Sequence, residues 1–187
     1  MSITTGTQPK PPAVNQRQFE HLVRQHQHRI YGLAYQMLSD ADEAADVTQV
    51  VLLRFWKHRD RVEQDRLIGW LLRVTRNASI DALRKRAASR ESVFTGEYNP
   101  LDHAPTYERA PDDRCQAEMN KQTLQRTLDG MREPYRSLVI LREIQQLKYD
   151  EICEALDLPL TTVKVYLHRA RKMLRAALQE VLHHESI

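Results

Sequence analysis

A chain of 187 residues with 41% apolar and 28% charged content has the composition of a folded protein, with room for one large domain or two small ones. Its net charge of +3 is small, so attraction for a polyanion has to come from where its 28 Lys and Arg cluster. No apolar run reaches the roughly 18 residues of a membrane span, residues 1–15 lack the apolar centre of a secretion signal, and Cys115 and Cys153 form no CxxC pair. The cytoplasm is therefore the expected compartment. Long stretches of 3.6-residue periodicity with only 5 Gly and 6% aromatics predict an all-α fold.

Residues 1–15 are rich in Pro, Thr and Gln and read as a flexible tail. From Arg17 an amphipathic helix carries Phe19, Leu22, Val23, His26, Ile30, Leu33, Ala34 and Met37 on one stripe. Ser39 and Asp40 offer N-cap chemistry for a second helix, whose first turns hold Asp42, Glu43 and Asp46 where a helix dipole favours acids. Ala44, Val47, Val51, Leu52 and Phe55 form its buried side, with Trp56 at the end. A third helical run starts near Asp65, with Ile68, Leu71, Leu72 and Thr75 on one face, and its period continues through Ile80 and Leu83 without a Gly or Pro break. It ends in the basic cluster Arg84, Lys85, Arg86 and Arg90.

Between residues 92 and 113 the helical period disappears among Gly96, Pro100, Pro105 and Pro111. Structureless loops of that length are uncommon inside one compact domain, so a flexible linker and a domain boundary are placed there. The expected organisation is two small helical domains, 16–91 and 114–187, joined by the linker 92–113. In the second, a helix with Met119, Leu124 and Leu128 breaks at Asp129-Gly130, and Pro134 suits the first turn of the next helix, whose core face is Leu138, Leu141 and Ile144.

Residues 148–178, KYDEICEALDLPLTTVKVYLHRARKMLRAAL, then read as two helices about a tight turn. Tyr149, Ile152, Cys153 and Leu156 share a face of the first, which makes Cys153 a buried structural thiol. Pro159 interrupts the pattern by disfavouring helix at Leu158. In the second helix Val163, Tyr166, Leu167, Ala170, Leu174, Ala177 and Leu178 are the buried stripe, while Lys164, His168, Arg171, Lys172 and Arg175, with Arg169 alongside, form a basic face. A short helix, a turn and a basic second helix is the layout of a helix-turn-helix. A helical hairpin with a solvated basic face is the alternative. Against it, no acid occurs between Asp157 and Glu180 to pair that face, and Thr161-Thr162 place hydroxyls and free N–H groups where a phosphate can bind.

Taken together, the motifs resemble an extracytoplasmic-function (ECF) sigma factor of the sigma-70 type. MREPYRSLVILREIQQLKYDEICEALDLPLTTVKVYLHRARKML, residues 131–174, is similar to region 4. ADEAADVTQVVLLRFWKH, residues 41–58, resembles the core-binding helix of region 2, and IGWLLRVTRNASIDALRKR, residues 68–86, resembles the segment that reads and opens the −10 element. The resemblance implies a non-enzymatic subunit that directs bacterial RNA polymerase to promoters. Asp46, Gln49, Val50, Leu53 and Trp56 would bind the β′ subunit, and region 4 would dock on β. Lys164, Val165, His168 and Arg169 would face bases of the −35 element, with Thr161, Thr162, Arg171, Lys172 and Arg175 on phosphates. For the −10 strand the resemblance places a short loop around Asn77, where a flipped base is held, with Arg73, Arg76, Arg84, Lys85 and Arg86 tracking the backbone. An anti-sigma factor is the implied regulator.

This chain departs from the family pattern at Val50, where an acid is usual, at Lys148, a poor N-cap, and at Asp157 and Thr161, where Gly is common. His21, His26 and His28 share a segment with no further ligand to complete a metal set, and Trp56 and Trp70 read as core or interface rather than as base-stacking platforms. The alternative function is a conventional helix-turn-helix regulator that binds duplex DNA without polymerase, but nothing reads as its sensor or dimerisation element. A recombinase would need a nucleophile among arginines or spaced carboxylates on strands, and neither pattern occurs.

Overall fold

The structure, a computed structural model, describes residues 15–93 and 112–184, with side chains over 15–89 and 121–179. The expected tail and linker lie outside the described residues except at their ends. Among the described residues the chain is helical with no strand, in agreement with the all-α expectation.

Helix α1 (Gln16–Leu38) opens on a reciprocal cap: Gln18 N–H donates to Asn15 Oδ1 at 2.9 Å and Asn15 N–H donates to Gln18 Oε1 at 3.0 Å. It closes at Ser39, which takes a left-handed φ of 56°. Asp40 then accepts from Glu43 N–H at 2.9 Å to start α2 (Ala41–His58), whose first turn carries Asp42 and Glu43 and whose last carries Lys57 and His58. Both ends match the helix dipole, and the Asp40 cap contributes about 1 kcal/mol. A 3-10 turn (Gln64–Arg66) leads into α3 (Leu67–Val93). These three helices enclose a core of Ile30, Ala34, Leu38, Val47, Val51, Phe55, Leu67 and Leu71.

Helix α4 (Asp112–Asp129) ends at Gly130, at the expected break. Helix α5 (Tyr135–Val139) follows Pro134 and runs into a π-helical turn (Ile140–Ile144), with Gln145 N–H donating to Ile140 O at 2.9 Å. This wider turn corrects one expectation. Leu138 and Leu141 are buried as predicted, but Ile144 is 36% exposed, because one extra residue per turn shifts the apolar stripe out of phase. Helix α6 (Tyr149–Leu156) starts without a side-chain cap from Lys148; its first turn is held instead by the Glu151 carboxylate, which accepts Lys148 N–H at 2.7 Å. Asp157 makes the turn at φ 55°, and α7 (Leu160–His184) follows.

The second core crosses the boundary placed in the sequence. Leu33 and Met37 of α1 and Leu72 of α3 are buried together with Leu128, Leu138, Leu141, Ile152, Val163, Leu167 and Ala170. The two blocks therefore pack on each other, with α3 lying beside α6. Side chains tie the edge of this seam: Gln125 Nε2 donates to Gln36 O at 3.0 Å, Gln145 Nε2 to Arg29 O at 3.0 Å, and the buried Arg136 to both Gln36 O and Asp129.

Candidate nucleic-acid interfaces

The apolar stripe of α7 dictates what its opposite side presents. Val163, Leu167 and Ala170 are buried, which turns Thr161, Lys164, Val165, His168, Arg169, Lys172 and Arg175 outward, with Thr162 half-buried in the first turn. Val165 is 49% exposed, an apolar side chain left in water among cations. Arg171 is exposed but not idle: its Nε and Nη2 lie 2.9 and 2.8 Å from Glu143 Oε1, which ties α7 to the π-helical turn. On the hidden side of α6, burial and then the neighbouring Asp150 carboxylate push the Cys153 thiol up. It is half-buried rather than fully buried, and its protonated form is favoured.

Helix α2 presents a second surface. Asp46, Gln49, Val50, Leu53 and Trp56 recur at helical spacing on its outer side and all are exposed, Leu53 by 61%. Val50, Leu53 and Trp56 thus place three large apolar side chains in one solvent-facing row. Trp56 is held in place by Phe19, edge-on at a centroid distance of 4.8 Å, and by the Arg59 guanidinium stacked 4.0 Å over its ring. Trp70 instead packs half-buried against the first core.

The third surface is α3, and here the sequence-based expectation changes. No loop interrupts the chain at Asn77; α3 continues through it as the periodicity implied, and Asn77 stands exposed on an unbroken helix. Leu71 and Leu72 before it and the buried Thr75 and Ser79 around it supply a regular stripe, which leaves no break in the pattern for a loop. Arg84 and Lys85 are exposed, Arg84 standing 3.6 Å from Asp81. Arg86 is committed within its own block, bridging to Glu43 and to Leu38 O. Arg73 and Arg76 turn toward the second block: Arg76 Nε donates to Ser137 Oγ at 2.9 Å, and its Nη2 to Glu133 Oε2 at 3.2 Å. Sequence reasoning missed these partners, because side chains 57 to 61 positions apart leave no local signal of their meeting.

Among the described residues no group of three His, Cys, Asp or Glu is arranged to hold a metal ion, and no helix is long and apolar enough to cross a membrane. His26 lies half-buried on α1, and burial, then the Arg29, His28 and His21 charges, lowers its pKa from 6.5.

A helix-turn-helix with an outward basic face, joined to a block with an arginine-rich helix and an apolar docking row, defines a DNA-binding protein that also engages a partner. Residues 22–89 match Sigma-70 region 2, and residues 121–174 match Sigma-70, region 4. The chain is 32% identical over 171 residues to the ECF RNA polymerase sigma factor SigE of Mycolicibacterium smegmatis, a match covering 91% of this chain and 63% of that protein. It is 28% identical over 174 residues to the ECF RNA polymerase sigma factor SigW of Bacillus subtilis, covering 89% of this chain and 92% of SigW. The fold is similar to that of CnrH in complex with the cytosolic domain of CnrY, with a TM-score of 0.66 at 23% identity over 89% of this chain and 90% of that one. It is equally similar to the sigma factor RpoE of Bartonella quintana in complex with the anti-sigma factor NepR, with a TM-score of 0.66 at 21% identity over 87% and 98%. The chain belongs to the sigma-70 family of RNA polymerase sigma factors, in its ECF group.

Proposed function

We propose that this sigma factor directs bacterial core polymerase to its promoters with the division of labour laid out on its three surfaces. The row Asp46, Gln49, Val50, Leu53 and Trp56 docks on β′, and the second block docks on β. Helix α7 reads the −35 element, with Lys164, Val165, His168 and Arg169 toward bases and Thr161, Thr162, Lys172 and Arg175 on phosphates. Arg171, already held by Glu143, reaches a phosphate only from that fixed position. Helix α3 engages the −10 strand through Asn77, Arg73, Arg76, Arg84 and Lys85, whereas Arg86 braces α3 against α2. The domains are residues 16–91 and 114–187. The protein works in the cytoplasm and supplies no catalytic group of its own; the chemistry of RNA synthesis belongs to the polymerase.

The observation that carries this reading is the pairing, in one chain, of an exposed basic recognition helix with the exposed apolar row of α2. A conventional helix-turn-helix regulator would leave that row without a role. An anti-sigma factor is the proposed regulator, as for the Bartonella quintana sigma factor held by NepR.

The test is in vitro transcription with purified core polymerase on a promoter library. Start sites that require both proteins support the reading and give the −35 and −10 sequences together. Tight sequence-specific duplex binding without polymerase, and no initiation with it, would overturn it. DNA binding is expected to fall steeply with salt, since phosphate contacts release counterions.

A further inference from the structure

Trp56 is the largest side chain of the α2 row, and it stands in the last turn of a helix that ends at His58. It is 38% exposed, so part of its ring faces water while the rest lies on the protein. An indole at a surface ordinarily exchanges between staggered rotamers, and a partner that docks on it has to freeze one of them at an entropic cost. Here the ring is already held from two directions. Phe19 of α1 meets it edge-on at a centroid distance of 4.8 Å, and Phe19 itself packs on Phe55 of the first core at 5.1 Å. The Arg59 guanidinium lies 4.0 Å over the ring.

Arg59 reaches the ring because of where α2 stops. It closes the helix in helical conformation, with φ −51° and ψ −30°, three residues after Trp56. A side chain at that position leans back toward the helix N-terminus, over the preceding turn. The guanidinium is then fixed on both flanks: Nη1 donates to Trp56 O at 2.6 Å, and Nε stands 4.0 Å from Asp60 Oδ1. Its side chain is 28% exposed, whereas Lys57 and Arg61 on either side of it project into solvent. A planar guanidinium suits this place better than an ammonium, since it can stack on the indole while its N–H groups bond in the plane. With one face under Arg59 and an edge against Phe19, the exposed remainder of Trp56 is presented in a single orientation.

We propose that Arg59 is a positioning residue for polymerase docking, one that acts on the partner through Trp56 by holding its ring in the orientation the partner meets. The proposal rests on the reading of the α2 row as the core-binding surface. Pre-setting the ring removes part of the ordering cost of docking, so the gain falls on binding and little of it on the fold.

The test is competition of full-length variants against labelled wild type for core polymerase. Beside it, the emission anisotropy of Trp56 is measured in free proteins carrying Trp70→Phe, which leaves Trp56 as the single tryptophan. Arg59→Ala is expected to bind core polymerase about fivefold more weakly, to lower the anisotropy of Trp56 and to move the urea midpoint little. Added to Trp56→Ala it should cost nothing further, because the ring through which it acts is gone. Arg24→Ala, exposed on α1, removes the same charge and should stay near wild type. Equal losses for Arg59→Ala and Arg24→Ala would reduce the effect to bulk charge, and an undiminished loss in the Trp56→Ala background would give Arg59 a contact of its own. Either result overturns the proposal, as does an anisotropy of Trp56 that is unchanged without Arg59. If circular dichroism shows Arg59→Ala to be unfolded, Arg59→Gln, which keeps a donor for Trp56 O without the cation, replaces it in every comparison. If Trp70→Phe does not fold, the affinity cycle decides alone. Trp56→Ala at wild-type affinity would instead remove the α2 row as the docking surface, and the proposal would fall with it.

Discussion

Replacing Leu53 by Ala separates what the α2 row does for the fold from what it does for a partner. The substitution removes three carbons, each worth about 0.8 kcal/mol when fully buried, or roughly 2.4 kcal/mol in all. Leu53 is 61% exposed in the free protein, so about three-fifths of that, roughly 1.5 kcal/mol, remains to be gained on docking. The expected loss of affinity for core polymerase is therefore about tenfold. The cost to folding is limited to the part already buried, below about 1 kcal/mol, and that is an upper bound. Phe55, two positions on but 2% exposed, supplies the contrast. Phe55→Ala should cost about 3–5 kcal/mol of stability through loss of packing in the first core. The assay is competition between unlabelled variant and labelled wild type for core polymerase at fixed salt, run beside urea melts of the free proteins. Unchanged affinity for Leu53→Ala would refute the docking assignment. A stability loss matching that of Phe55→Ala would refute the placement of Leu53 on the outer face.

Arg169→Ala should lower −35-dependent transcription by about 1–3 kcal/mol of binding and relax selection at one base position, as read by transcription across a promoter library. An unchanged promoter preference would mean that the register of α7 on DNA is wrong. Asn77→Ala should leave duplex −35 binding intact while impairing strand opening, measured by permanganate reactivity of the −10 region; equal loss of both would remove Asn77 from the strand surface. Burial lowers the pKa of His26 from 6.5, so the folded state binds fewer protons there than the unfolded chain does. Its contribution to stability is accordingly flat above the unfolded pKa and is lost as pH falls from about 6.5 toward the lower folded value. His26→Gln should flatten that acid slope in urea midpoints taken between about pH 7.5 and about pH 5.5, and an undiminished slope would assign it to other groups.

Local chemistry in this chain is written into neighbouring residues, and that part was legible. Asp40 before an apolar period, Gly130 after one, and Pro159 between two are decisions made within a few residues, so helix ends could be read without tertiary information. The exposed faces of α2 and α7 were legible for the same reason: a helix that buries Val47, Val51 and Phe55, or Val163, Leu167 and Ala170, has no choice about what it turns outward. At Asn77 the periodicity of the residues themselves was the better guide than the family pattern. Ile144 was misplaced because a π-helical turn depends on how α5 packs, and its sequence looks like ordinary helix.

The sequence by itself determined an all-helical chain and a helix-turn-helix with a basic face, because each follows from periodicity, caps and charge within single helices, whereas the outer row of α2 came from the family resemblance. Only the tertiary structure decided that the two blocks share a core through Leu33, Met37 and Leu72, and that Arg73 and Arg76 face Asp157 and Glu133. Contacts between side chains so far apart along the chain depend on how whole helices stack. A period of 3.6 residues shows that a face is buried, but it does not name what buries it.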